Sequence, residues 1–375
     1  MNTTENSAKK SQYINLIPRN QQLSHPIIGD WELPEGAVVA PMAGITDSPY
    51  RHICRRFGAG LLYSEVISAE GLRRRGRKTF ELVEFQDSER PLAIQLFGKE
   101  PQQFADAVAI LLEQYQPELI DINCGCPVKK FVTRDVGGWL MQFPDLIGRI
   151  VEAVKKVSST PVSVKLRSGY RLPDETAPIA AANAEAAGAS LVAIHARYVR
   201  GSKDTSADWD VIGRVKAAVK NIPVIGNGDI FSRADAQKMM TQTGCDRVMI
   251  GRGCAGRPWI FSSMLNIFEQ DFPVYVPTMK DRINILLNHY KLMLEYLPTK
   301  RAIHRMRKHI GWYTHGMHGS ARIRAELMLL DDDNEVISRL EEYRDIRLKD
   351  EIPPSQSANP AEEAFSINGL TSTQE

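Results

Sequence analysis

Eight short apolar runs rich in β-branched residues recur along this chain, each separated from the next by a longer intervening stretch, and that rhythm limits what it can fold into. The runs are Val38 to Ala40, Leu61 to Tyr63, Leu92 to Leu96, Leu119 to Ile122, Val162 to Leu166, Leu191 to Ile194, Val224 to Ile225 and Val248 to Ile250. Between most of them lie stretches of helical spacing, such as Phe104, Val108, Leu111 and Leu112, or Leu146, Ile150, Val151 and Val154. Strands that are apolar throughout and alternate with helices at roughly 30-residue intervals call for a parallel sheet covered on its outside. Eight such units close most naturally into an α/β barrel of the (β/α)8 or TIM type. The competing architecture, an open doubly wound sheet, usually announces a glycine-rich turn after its first strand, whereas Gly58-Ala59-Gly60 precedes a strand.

The barrel accounts for only part of the 375 residues. Ile27 to Pro34 reads as a small hairpin able to plug the barrel's bottom. After Ile260 the pattern becomes purely helical, with Ile283, Leu286, Leu287, Tyr290, Leu294 and Leu297 on one face and Ile337, Leu340 and Tyr343 on another. We therefore expect a disordered extension over 1–22, a catalytic barrel over 23–262, an all-helical C-terminal domain over 263–352 and a disordered tail over 353–375. The tail's Pro, Ser, Ala, Glu and Thr bury too little apolar surface to offset ordering entropy.

Composition excludes several classes. The polar first twenty residues lack a secretory core, and no run of about 18 apolar residues offers a membrane span, so a cytoplasmic protein is expected. The five cysteines, at positions 54, 124, 126, 245 and 254, fit neither a disulfide framework nor paired zinc knuckles, and no metal site is expected. A net charge of +2 implies no polyanionic partner by itself; the distribution of the basic residues has to be read instead.

In a barrel of this type the working face is formed by the strand C-termini and the loops after them. There the sequence places Pro41-Met42-Ala43, Gln95, Asn123, Cys126, Lys165, His195-Ala196-Arg197, Gly226-Asn227-Gly228-Asp229 and Gly251-Arg252-Gly253. Small glycine-rich loops after the last two strands let backbone N–H groups approach a phosphate. The amides of Gln95 and Asn123 with the cation of Lys165 suit a flat heterocycle with polar edges, and together these features describe flavin mononucleotide. Each residue also has a plainer reading. Cys126 could be a small buried hydrophobe, His195 a hydrogen-bonded core histidine, and Lys165 a lysine neutralised by Asp121.

Taken together, the motifs resemble the tRNA-dihydrouridine synthases, and more closely their bacterial B-type, nitrogen-regulation-like branch. The resemblance runs from about Val38 to Phe261 through Ala-Pro-Met-Ala-Gly-Ile-Thr-Asp, the Gln-Leu-Phe-Gly at 95–98, Asp-Ile-Asn-Cys-Gly-Cys-Pro-Val-Lys-Lys at 121–130, Val-Lys-Leu-Arg-Ser-Gly at 164–169, Ala-Asp-Trp at 207–209, Gly-Asn-Gly-Asp-Ile at 226–230 and Met-Ile-Gly-Arg-Gly at 249–253. It continues more weakly into Lys308-His309-Ile310-Gly311-Trp312-Tyr313. It implies reduction of the uracil C5=C6 bond of tRNA, with a D-loop uridine favoured, and NADPH or NADH as reductant. FMN would be bound by Pro41, Met42, Ala43, Gln95, Lys165, Asn227, Gly228, Asp229, Gly251 and Arg252, with Asn123 and His195 between flavin and substrate and Cys126 as proton donor. Phe131 and Trp139 depart from the smaller residues usual in the family, as do Cys124, Ala196 and Tyr198 from theirs.

A stacked uridine has to be drawn into the pocket while the neighbouring strand is held by its phosphates. Lys129 and Lys130 after the fourth strand and Arg197 after the sixth are placed for this, as are Arg305, Arg307 and Lys308 in the helical domain. No membrane or obligate protein partner is expected. Two other readings stay open: an FMN barrel reducing a small molecule, and an RNA-binding protein that has lost turnover.

Overall fold

The computed structural model describes residues 25–201, 205–269 and 272–347. The expected terminal segments 1–22 and 353–375 lie outside the described residues. An antiparallel pair, β1 (Ile27–Ile28) and β2 (Trp31–Glu32), precedes eight parallel strands. These are β3 (Val38–Val39), β4 (Leu62–Ser68), β5 (Leu92–Phe97), β6 (Leu119–Asn123), β7 (Val162–Arg167), β8 (Leu191–His195), β9 (Val224–Asn227) and β10 (Arg247–Ile250). Their order, β3-β10-β9-β8-β7-β6-β5-β4, is closed by a parallel bridge from Val38 to Leu61. The structure is the (β/α)8 barrel expected, followed by helices.

Successive side chains on a strand point to opposite faces, so each barrel strand sends every second residue inward. One buried cluster unites Val38, Leu61, Tyr63, Ala93, Leu119, Leu191, Ala193, Ile225 and Met249. Stepping two residues at a time toward the strand C-termini, the same inward rows become polar: Ala93 leads to Gln95, Leu119 to Asp121 and Asn123, Ala193 to His195, and Ile225 to Asn227. β7 supplies Ser163, Lys165 and Arg167 on its corresponding row. A dry floor thus supports a polar upper end within one set of strands. The hairpin extends the floor, since Ile28 and Leu33 belong to the same buried cluster and Trp31 packs on it while its indole N–H donates to the Glu118 carbonyl at 3.2 Å.

Two compact units divide the chain. The first runs through Arg252 and takes back Ile260–Val274; the second comprises Gly253–Trp259 and the residues from Tyr275 onward. Within the second, the helix Met279–Tyr296 starts in a capping box between Thr278 and Asp281. Its buried residues Ile283, Leu286, Leu287, Tyr290 and Met293 lie in a helix packed against Thr299–Tyr313 and Asp333–Arg347, and Ser320–Leu327 packs on those two. Leu294 and Ile337, expected on the apolar faces, are only half-buried, while Met293 and Val336 are buried. A helix turns 100° per residue, so either neighbour satisfies the spacing and packing decides between them. Among the described residues no helix is long and apolar enough to cross a membrane.

Candidate active site

The turn after β6 is held from several sides. The Asn123 Oδ1 accepts from the Gly125 N–H at 3.2 Å and the Cys126 N–H at 3.0 Å. The Arg167 Nε donates to the Gly125 carbonyl at 2.7 Å, and the Cys126 carbonyl accepts from the Gly138 N–H at 3.0 Å. The returning loop passes so close that a Cβ on Gly137 would stand 3.0 Å from the Cys126 Cβ, and one on Gly138 2.8 Å from the Cys126 carbonyl oxygen. Gly137 also has φ +62°, which favours glycine there. Cys126 is half-buried at this turn, whereas Cys124 is completely buried.

Burial pushes the Cys126 thiol up from its ordinary range, opposed by the Val128 amide and by Arg167 and Lys165. At neutral pH the group is a thiol, carrying a proton.

The β3 loop bearing Pro41, Met42 and Ala43 is closed by the Met42 N–H donating to Thr46 Oγ1 at 3.0 Å and the Gly44 N–H donating to the Glu65 carboxylate. Arg51 clamps it from behind, donating to the Thr46 carbonyl at 2.8 Å and to Glu89 at 2.5 Å. Neither buried carboxylate stands out in the sequence.

Across the mouth, cations outnumber carboxylates. The Lys165 Nζ donates to Asn227 Oδ1 at 3.2 Å, and Asn227 donates to the Met249 carbonyl at 2.7 Å. Burial, then the neighbouring Arg167, draws the Lys165 ammonium down to about 8, against the attraction of Asp121 and Cys126. Asp229, at φ +53°, receives Arg197 through both carboxylate oxygens at 2.7 and 2.6 Å, Arg252 at 2.9 Å and the Ala207 N–H at 2.8 Å. The Arg197 guanidinium also meets His195 Nε2 at 3.2 Å. A guanidinium only donates, so that nitrogen accepts and the ring proton sits on Nδ1. Burial first, then Arg167, Lys165, Arg197 and Arg252, holds His195 well below the ordinary histidine range, as a neutral ring.

These observations test the flavin expectation. Four cations converge on His195, and the carboxylates near them are Asp229, shared between two arginines, and Asp121, which burial lifts to about 7. Such an excess of positive charge suits a phosphorylated, electron-accepting ligand. Gly228 has φ +130°, and a Cβ there would come within 2.8 Å of the Ala207 Cβ, so the glycine permits the tight strand end beside these cations. The residues fit a phosphorylated flavin.

A family model described as dihydrouridine synthase matches residues 38–351. The chain belongs to the dihydrouridine synthase family. A probable tRNA-dihydrouridine synthase of Rickettsia bellii is 36% identical over 317 residues, covering 84% of this chain and 97% of the relative. The tRNA-dihydrouridine synthase B of Pasteurella multocida is 34% identical over 323 residues, covering 86% and 97%. A probable tRNA-dihydrouridine synthase of Mycobacterium tuberculosis is 35% identical over 345 residues, covering 89% and 87%.

The sequence-predicted residues fall into groups. Asn123, Cys126, Lys165, His195, Asn227, Gly228, Asp229 and Arg252 share the C-terminal end of the barrel. Gly251 is there too, where a Cβ would stand 3.9 Å from the Met42 sulfur. Gln95 is fully buried, with its amide engaged by Asp121 and Asn123. Lys165 is held by Asn227, and the Asp121 carboxylate is occupied by Gln95 and Ser163.

Arg197 lies deeper than an exposed cation after a strand would. It is 9% exposed and bound to Asp229, His195 and the Thr205 carbonyl, so it organises the mouth. Its partner lies 32 residues away in sequence, which local reading misses. Lys129 and Lys130 are exposed as expected. In the helical unit Arg305, Arg307 and Lys308 are half-buried, and Arg307 is tied to Asp331 at 3.0 Å. The large residues of the β6 loop are packed: Phe131 against Phe97 with ring centroids 4.4 Å apart, and Trp139 against Phe143 at 4.5 Å and under the Lys99 ammonium at 5.2 Å.

Proposed function

We propose that this chain reduces the C5=C6 bond of specific uridines in tRNA to 5,6-dihydrouridine, using bound FMN and NADPH or NADH as the reductant. The observation that carries the reading is the half-buried Cys126 kept as a neutral thiol on a turn beside Lys165 and Arg167, in a family named for this product.

FMN, once reduced by the nicotinamide, would supply the hydride that uracil C6 accepts. The chain's residues do the rest. Pro41, Met42, Ala43, Asn123, Lys165, His195, Asn227, Gly228, Gly251 and Arg252 would hold the cofactor, with Gln95 supporting Asn123 and Asp229 supporting Arg252. The Cys126 thiol gives its proton to C5, and the resulting thiolate, neighboured by Lys165 and Arg167, is reprotonated from solvent. Hydride and proton together add the two hydrogens of the product. Neutral His195 offers an N–H at Nδ1 and adds no charge.

Lys129 and Lys130, exposed three and four residues beyond Cys126, are positioned to hold phosphates next to the extruded uridine. Arg305 and Lys308 of the helical unit add basic surface for the same polyanion. Reversing Lys129 and Lys130 to glutamate is expected to weaken tRNA binding and lower the slope of log K against log salt by about 2, with flavin content unchanged. Filter binding across a salt series measures this; an unchanged slope removes the loop from the RNA footprint.

The function itself is tested by incubating tRNA from a strain lacking this gene with the purified protein and NADPH. Mass spectrometry should find one uridine heavier by two hydrogens. No mass gain, with a yellow protein that NADPH bleaches, would point to a small-molecule substrate instead.

A further inference from the structure

Behind the Cys126 turn runs a buried chain of polar side chains with one carboxylate at its root. Ser163 Oγ donates to Asp121 Oδ1 at 2.5 Å, and Gln95 Nε2 donates to Asp121 Oδ2 at 2.7 Å. Gln95 Oε1 accepts from Asn123 Nδ2 at 2.7 Å, and Asn123 Oδ1 accepts the Gly125 and Cys126 N–H groups. Asp121, Gln95 and Ser163 are completely buried and Asn123 is 5% exposed. The parallel register pairs Gln95 directly with Asp121.

We propose that Asp121 is a positioning residue, whose carboxylate, acceptor-only once ionised, fixes the donor and acceptor sense of the Gln95 and Asn123 amides and thereby the placement of the Cys126 thiol. The inference rests on the reading of Cys126 as proton donor.

A side-chain amide has two orientations of nearly the same shape, so amides alone do not choose a direction. An ionised carboxylate does, because it only accepts: Gln95 must turn its NH2 toward Asp121 and its oxygen toward Asn123. Asn123 must then present its own oxygen to the turn. With the opposite sense, an NH2 would confront two backbone N–H groups, and the turn would lose both anchors. A buried carboxylate is also costly. Burial lifts Asp121 to about 7, against the hydrogen bonds from Ser163 and Gln95 and the attraction of Lys165. A position that merely filled space would be better served by a neutral side chain.

The test uses the full chain carrying Asp121→Asn, assayed at pH 8. The change keeps the shape, removes the charge and abolishes the directional signal. The kcat for dihydrouridine formation should fall by about tenfold or more with the tRNA KM little changed. Alkylation of Cys126 by iodoacetamide, read peptide by peptide, should change by about threefold, and the melting temperature should hold or rise because a buried charge is gone. The other four cysteines are buried and give a background control.

A double variant, Asp121→Asn with Gln95→Glu, returns an acceptor-only group to the amide of Asn123 and should restore the wild-type alkylation rate. Unchanged kcat and alkylation in Asp121→Asn would overturn the proposal. So would a kcat that falls only together with the melting temperature. If the single variant does not fold, Cys126 reactivity in the double variant decides, wild-type reactivity supporting the proposal and altered reactivity overturning it. If wild-type protein forms no dihydrouridine, the functional reading fails separately, while alkylation still reports on the relay.

Discussion

Cys126→Ala is expected to lower dihydrouridine formation by roughly 10²- to 10⁴-fold, the usual worth of a placed general acid, while the protein stays folded and keeps its flavin. The side chain is half-buried, and its removal leaves the backbone anchors intact: Asn123 still accepts the residue-126 N–H, and the residue-126 carbonyl still accepts from Gly138. Cys124→Ala is the control. Cys124 is completely buried and separated from the exposed end of the turn, so its loss removes packing, worth on the order of 1 kcal/mol, and leaves turnover near wild type. Single-turnover reduction of tRNA by the prereduced enzyme measures both variants. Equal losses would show that the turn matters as a fold and not through one sulfur.

The pH profile carries the same distinction. A nucleophilic cysteine gains from a lowered pKa, but a proton donor must hold its proton. Burial pushes the Cys126 thiol above its ordinary range. Above the Asp121 transition near pH 7, turnover should therefore stay level and then fall at alkaline pH, where the thiolate forms. A rise in that region would contradict the donor role.

How much of this was legible in the chain follows from what each feature depends on. The barrel could be read because parallel strands buried on both faces appear as unbroken apolar runs, and the mouth because strand ends locate it. The polar ends of the inward rows, Gln95, Asn123, Lys165, His195 and Asn227, follow from the twofold alternation once the strands are known. Choice of partner was the hidden part. Lys165 and Asp121 look complementary in sequence, but the β5–β6 register places Asp121 beside Gln95, and Lys165 reaches Asn227. Arg197 looks like one more exposed cation after a strand until Asp229 and the Thr205 carbonyl bury it. Glu65 and Glu89, which hold the β3 loop and its helix, carry no motif; a carboxylate inside or beside an otherwise apolar segment was the available sign.

Lys165→Met should have the second large effect, because this cation is held at the mouth at an evident cost. Its ammonium is drawn down to about 8 by burial and by Arg167, and the Asn227 oxygen at 3.2 Å is a neutral partner. A cation under that strain favours an anion beside it. Its removal should weaken FMN binding and lower the rate of dihydrouridine formation by roughly 10²-fold, the scale of losing one preorganised charge-stabilising donor. The sign of the pH dependence is fixed too. A lysine pKa lowered in the folded state means that between about 8 and the ordinary 10.5 the unfolded chain binds more protons at this site, so the Lys165 contribution to the stability of the ligand-free protein rises with pH through that window. FMN prefers the protonated lysine, so its affinity should fall over the same range while that contribution to stability grows. Fluorescence titration of FMN beside thermal melts of the ligand-free protein, both from pH 7 to 10 and each read as wild type relative to Lys165→Met, would show the two trends diverging. Lys165→Met should flatten each, and a variant that kept the wild-type slopes would take Lys165 out of the cofactor site.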